Sequence, residues 1–166
     1  VGEAVAHRRG DYILATKVGM KVGEAPEDEN TSPEAIRIQL RRSLARMRTD
    51  YVDVYYLHRY DPDTEPHAVA RAMGEELRAG TIRAWGVSNY TAAQLAALLG
   101  LGIGLTPSGD DFLCGMLAGS ILAGRQREPF FLALRAEIAA GLSQTNDISA
   151  AFLQCALDGQ FSEPVL

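Results

Sequence analysis

The chain has 166 residues, the length of about one domain, with 47% hydrophobic and 22% charged residues and a formal charge of −5. That balance argues against disorder along most of the chain and excludes the basic face that nucleic-acid binding needs. The longest apolar run, Phe112 to Gly124, falls short of the ~20 residues that cross a bilayer, so Gly115 and Gly119 at GxxxG spacing read as close helix packing in a soluble core.

Asp11 to Gly19 predicts a strand, because Tyr12, Ile13, Leu14 and Val18 form a nearly continuous apolar run of the kind buried on both faces. Met20 to Ser32 is a polar, acidic loop containing Pro26. Ser32-Pro33-Glu34 then starts a helix: Ser32 caps, Pro33 suits the first turn, and Glu34 favours the positive end of the dipole. Ile36, Leu40, Leu44 and Met47 make its apolar stripe, with Arg37, Arg41, Arg42 and Arg48 on the solvated side. Tyr51 to His58 is a second strand, β-branched and aromatic, interrupted by Asp53. After a turn, Thr64 is expected to cap a helix with Pro66 in its first turn and Val69, Ala72, Met73 and Leu77 facing inward. Gly80 stops that helix. Thr81 to Ser88 is a third strand, and Thr91 caps a helix holding Leu95, Leu98 and Leu99.

Strand and helix alternate three times, the pattern of parallel βα units. Beyond Leu99 the pattern stops. Gly102, Gly104, Pro107 and Gly109 break the chain, and helices follow from near Phe112, from Pro129 to about Leu142, and, after a cap region at Ser143 to Ser149, from Ala150 to Gly159. Charge changes too: residues 1–100 hold 13 Lys+Arg and 14 Asp+Glu, residues 101–166 hold 3 and 7. Val1 begins without the basic and apolar regions of a signal peptide and is not a Met, so a fragment without a leader is expected. Cys114 and Cys155 sit in apolar helical contexts outside any metal-type cluster, which fits reduced thiols and a cytoplasmic location.

Parallel α/β folds collect functional groups at the C-terminal ends of their strands. Here that rule selects Lys17, His58 with Arg59, and Ser88 with Asn89. A half-desolvated Lys can tune a neighbour's pKa, a His can donate to a substrate oxygen, and Ser and Asn can grip a carboxamide. One such residue would be unremarkable packing. Three at successive strand ends favour a site.

The segments VGEAV, ILATKVG, SLARMRTDYVDVYYLHRYDPDT, ELRAGTIRAWGVSNY and AQL resemble the aldo-keto reductases over roughly residues 1–99. The resemblance implies a TIM-type (β/α)₈ barrel and NADPH-dependent reduction of a small carbonyl substrate. The family tetrad is Asp, Tyr, Lys and His. By resemblance Lys17 is the catalytic Lys, His58 the catalytic His, and Ser88 and Asn89 hold the nicotinamide amide of NADP. The family's Tyr and Asp precede the VGEAV-like segment, and none of the six tyrosines here takes the Tyr position. The implied active site and cofactor site are therefore incomplete, and little or no reductase activity is expected from this chain alone. About three of eight barrel strands leave open edges, so a homo-oligomer or a partner chain is expected to cover them. No nucleic acid and no membrane is expected as a partner.

In the last third, LTPSGDD is a polar loop feeding a helix N-terminus. By shape it is a helix cap with a tight turn. The sharper alternative is a ligand loop using Thr106, Ser108, Asp110 and Asp111. No metal site is assigned. GLTPSGDDFLCGMLAG and TNDISAAFLQCALDGQFSEPV resemble a second family, the domain that includes a subunit of oxamate carbamoyltransferase. An acidic pair there would repel a phosphate unless a cation or another chain intervened.

The expected organisation is an α/β segment of about three βα units of a TIM-type barrel over residues 1–99, then a mainly helical segment over 100–166. The join lies near Leu99 to Gly104. Three functions follow: an aldo-keto-type oxidoreductase with an incomplete site, a carbamoyltransferase-subunit-like protein, and a non-catalytic chimeric fragment.

Overall fold

The structure, a computed structural model, describes residues 1–21, 28–102 and 104–161. Val22 to Glu27 of the acidic loop, Ile103, and the final residues 162–166 lie outside them. The chain forms two compact units, Val1–Tyr90 and Thr91–Leu166.

The first unit is built on a three-stranded parallel sheet of order β1-β2-β3, with β1 at Ala15–Val18, β2 at Val52–Leu57 and β3 at Ile82–Val87. Helix α1, Gly2–Val5, and a 3-10 turn at Ala6–Asp11 precede it. Helices α2, Pro33–Met47, and α3, Pro66–Ala79, connect the strands. Together they give a partial TIM-type α/β fold.

The core lies between one sheet face and the two connecting helices. Val18, Tyr55 and Leu57 of the sheet pack with Ile36 and Leu40 of α2 and with Val69, Ala72 and Met73 of α3; Trp85 and Val87 lie half-buried against them. Tyr55 reaches through this core to donate its hydroxyl to the Ile36 carbonyl at 3.0 Å. Burying a ring of this size stabilises strongly only because its hydroxyl finds a partner. Alternation along the strands puts Ala15, Lys17, Val54, Tyr56, Ala84 and Gly86 on the opposite face; Ala15, Lys17 and Ala84 are exposed there.

Helix ends follow local chemistry, with one correction. The Ser32 hydroxyl accepts from the Ala35 N–H at 3.2 Å, and Gly80 closes α3 at φ 76°. The cap of α3 is Glu65, not Thr64: the Glu65 carboxylate accepts from the His67 and Ala68 N–H groups, while Thr64 donates to Asp61. Each carboxylate oxygen takes one amide donor, and the negative charge suits the positive end of the helix. Leu77, expected inside, is exposed.

The first strand is also shorter than its composition predicts. Residues up to Asp11 form a 3-10 turn, Ile13 is 82% exposed, and only four residues pair. The cause is Asp53. Its carboxylate accepts from the Leu14 N–H at 2.9 Å and from Arg9 at 2.8 Å, so Arg9 and Leu14 are tied to β2 by a side chain. The Arg9 and Arg83 guanidiniums lie 4.0 and 4.2 Å from the Tyr51 ring centre, which adds cation–π attraction.

The second unit is helical: α4, Ala92–Ala96; α5, Ser108–Leu122; α6, Pro129–Gly141; a 3-10 turn at Leu142–Gln144; and α7, Asp147–Leu157. Thr91 and Gln94 form a reciprocal capping box, and Asn146 caps α7. Leu95, Leu98, Leu99, Leu113, Leu117, Leu134, Ile138 and Leu153 are all buried. Among the described residues no strand follows β3, as the sequence predicts.

Candidate functional site

The sheet register sets three of the sequence-selected positions along one edge. Lys17, Tyr56 and Gly86 are partners across the strands, and so are Val18, Leu57 and Val87 one step on. The next backbone bonds continue the row: the His58 N–H donates to Val18 at 2.9 Å, and the Ser88 N–H donates to Leu57 at 2.9 Å. Lys17, His58 and Ser88–Asn89 thus stand at the C-terminal edge of three adjacent parallel strands.

Asn89 turns the chain there in the left-handed region, φ 60°, which Asn tolerates better than most residues. Its amide donates to the His58 carbonyl at 2.7 Å and to the Ser88 hydroxyl at 3.1 Å, pinning the two strand ends together. The Ser88 hydroxyl accepts that bond and keeps its own proton to donate. The buried His58 Nδ1 has no hydrogen-bond partner within the protein. An unpartnered buried ring nitrogen is costly unless something else meets it. Gly86 is dictated by Tyr56: a Cβ there would lie 2.9 Å from the Tyr56 ring, so this ring lies over β3.

These groups suit a small polar ligand. A hydroxyl and a carboxamide at one strand end can donate to and accept from such a ligand, and the orphaned His58 nitrogen offers a partner for a further polar atom.

The second set of sequence-selected residues converges only in part. Asp110 is 1% exposed. Its carboxylate accepts from the Gly100 N–H at 2.7 Å, from the Ser149 hydroxyl at 2.6 Å and from the Thr145 hydroxyl. It therefore ties the glycine-rich turn to the start of α7, inside the fold. The N-cap of α5 is Pro107, without a side-chain cap, and Ser108 is exposed at the first helical position. The glycines of the motif are steric. A Cβ on Gly109 would lie 1.9 Å from the Leu98 carbonyl oxygen, and one on Gly100 would lie 2.4 Å from that of Gln144.

Thr106 and Asp111 do meet, across a pocket of about 540 Å³ whose walls include Cys114, Phe152, Cys155 and Phe161. Burial pushes the Asp111 carboxyl above its ordinary pKa; the Thr106 hydroxyl works against this and the Asp110 charge adds to it. Burial likewise pushes the Cys114 thiol up to about 11, with Asp111 and Asp110 contributing. The aromatic and thiol walls of this pocket escape inspection of the motif alone. Their only sequence signal is the helical spacing of 111, 114 and 115 against 152, 155 and 156. No group of three or more His, Cys, Asp or Glu able to hold a metal ion occurs among the described residues. None of the helices among them is long and apolar enough to cross a membrane.

Comparison with known proteins gives this arrangement its family. The family model described as "Aldo/keto reductase family" matches residues 1–131. The chain belongs to the aldo/keto reductase family. Among its relatives, a 6-dehydroglucose reductase of Novosphingobium aromaticivorans is 39% identical over 101 residues, covering 59% of this chain and 32% of that protein. An L-glyceraldehyde 3-phosphate reductase of Escherichia coli is 32% identical over 89 residues, covering 54% and 26%. The holo form of aldo-keto reductase AKR11C1 from Bacillus halodurans superposes with TM-score 0.51 at 36% identity, over 56% of this chain and 32% of that one. The chain thus spans about a third or less of the length of these relatives. A second family model, "Oxamate carbamoyltransferase subunit AllH", matches residues 98–166 and overlaps the first.

Proposed function

We propose that the first unit is the part of an aldo/keto reductase barrel that orients a small carbonyl substrate and the nicotinamide end of NADP. The observation that carries this reading is the strand-end row of Lys17, His58 and Ser88–Asn89. Ser88 and Asn89 would hold the nicotinamide carboxamide, and the bound nucleotide would supply the hydride. His58 would hydrogen-bond the substrate oxygen. Lys17, a cation on the same sheet face, would favour the anionic side of a neighbouring acid–base pair.

Carbonyl reduction also requires a proton on oxygen. On this reading the family's Tyr and Asp would have no counterpart among these residues, and Tyr55 and Tyr90 are poor substitutes. Tyr55 is buried, with its hydroxyl on Ile36 and its pKa raised by burial. Burial also pushes Tyr90 up to about 12. These 166 residues by themselves should therefore bind NADPH weakly and reduce carbonyls little or not at all. NADPH fluorescence titration and loss of NADPH absorbance with common aldehydes test the two parts separately. Turnover at a rate typical of the family would overturn the impairment. Binding unaffected by Asn89→Ala would overturn the nicotinamide site.

The match of residues 98–166 favours a second reading for the other unit, as an oxamate-carbamoyltransferase-subunit-like segment. Titration with oxamate and with carbamoyl phosphate tests it, and saturable binding of either would support it.

A further inference from the structure

The pocket of the second unit is a built cavity that the carbonyl-reduction reading does not use. It lies between α5 and α7, and its volume of about 540 Å³ suits a small organic molecule. Phe152 and Phe161 give it aromatic walls, and Phe152 is 58% exposed.

Among the described residues the lining carries one carboxyl group, that of Asp111, and no Lys, Arg or His. The surrounding charge has the same sign. Residues 101–166 hold 3 Lys+Arg against 7 Asp+Glu. Of those cations, Arg125 is paired with Glu128 and Arg135 donates to the Leu157 carbonyl. An anion entering the pocket would meet an uncompensated carboxylate beside apolar walls, where such repulsion is poorly screened.

We propose that this pocket binds a small organic ammonium ion with an apolar body. The ammonium would form a charge-assisted hydrogen bond to Asp111, with Thr106 beside it. The apolar body would lie on the Phe152 and Phe161 rings, whose faces also attract a cation. The raised Asp111 pKa is consistent with this: a carboxyl partly removed from water lacks a counter-charge, which a bound cation supplies.

Cys155 is an exposed thiol in the pocket wall and provides a local readout. The full chain is labelled with N-ethylmaleimide, and modification of Cys155 is followed by mass spectrometry. At ten times its dissociation constant, 2-phenylethylamine should slow labelling about tenfold by occupancy. The anion 3-phenylpropionate, which carries the same phenylethyl body, and oxamate should not. Asp111→Asn should weaken the amine's protection about tenfold or more, the usual loss when a charge-assisted bond becomes a neutral one. Gly115→Leu should abolish it. A Cβ at Gly115 meets nothing within 4 Å, so leucine fills the open pocket while favouring the helix, and far-UV circular dichroism checks that the fold is kept. The proposal fails if the amine gives no protection, if 3-phenylpropionate protects equally, or if either variant leaves the amine's affinity unchanged. Protection by oxamate would instead support the carbamoyltransferase reading and overturn this one.

Discussion

Asp110→Ala removes the carboxylate that joins the Gly100 turn to Thr145 and Ser149. Hydrogen bonds to a charged group contribute about 1.5–3 kcal/mol each. Three bonds are lost. Against that, an alanine carries no charge to desolvate, and the two hydroxyls can rotate toward other acceptors. The Gly100 N–H cannot rotate. The net cost is about 3–5 kcal/mol. A unit of this length has a total stability of about 4–11 kcal/mol, so the alanine variant should lose much or all of its second unit. Asp110→Asn keeps shape and keeps an acceptor for Gly100. Its amide donates where the carboxylate accepted, and Thr145 and Ser149 can turn to accept it. It should cost about 1–2 kcal/mol. With a urea slope of about 1 kcal/mol per molar, the asparagine variant should unfold about 1–2 M earlier. Far-UV circular dichroism follows the helices. Trp85, the single tryptophan, lies in the first unit, and its emission reports that unit as an internal reference. An alanine variant whose helical transition moves by less than about 0.5 M would refute a structural role for this carboxylate and return it to the ligand candidates.

Gly109→Ala should cost about 3 kcal/mol because its Cβ would collide with the Leu98 carbonyl, a backbone atom; Gly115→Ala should gain about 0.5–1 kcal/mol, and equal urea midpoints for the two would refute the steric account. Asp53 should make the first unit acid-sensitive. Partial burial raises its pKa, but the Leu14 N–H, the Arg9 bond and the Arg9 and Arg83 charges together hold it below the ordinary carboxylate value. Its contribution is therefore complete above about pH 4 and is lost as pH falls through the depressed value. Asp53→Asn should lower the Trp85-detected urea midpoint near neutrality and flatten its fall below pH 4; an unchanged profile would contradict the Arg9–Asp53–Leu14 tie. Cys114, with its thiol pushed up to about 11, should label with a rate that climbs about tenfold per pH unit from neutrality towards that value, and a flat profile would contradict its burial.

The parts of this chain that are legible from sequence are those fixed by local chemistry. Ser32, Gly80 and Thr91 act within four residues of themselves, and their capping roles stand in the structure, as does a cap within Ser143 to Ser149. The strand ends are legible for the same reason. Parallel βα units put Lys17, His58 and Ser88 on one edge whatever their side chains do, and the register puts them there. What is not legible depends on a distant partner. Tyr12 and Ile13 are apolar enough for a strand, but Asp53, about forty residues later, takes the Leu14 N–H and the Arg9 side chain. GLTPSGDD invites a ligand reading because Gly, Thr, Ser and Asp are the residues of ligand loops. They are also the residues of a tight backbone crossing. The sequence of the loop is the same in both cases, and the decision rests on Leu98, Gln144, Thr145 and Ser149, which lie outside it. Adjacent carboxylates then part company by helix geometry. Residues 110 and 111 differ by about 100° around α5, which turns Asp110 into the fold and leaves Asp111 on the pocket. The motif therefore divides between folding and binding one residue at a time.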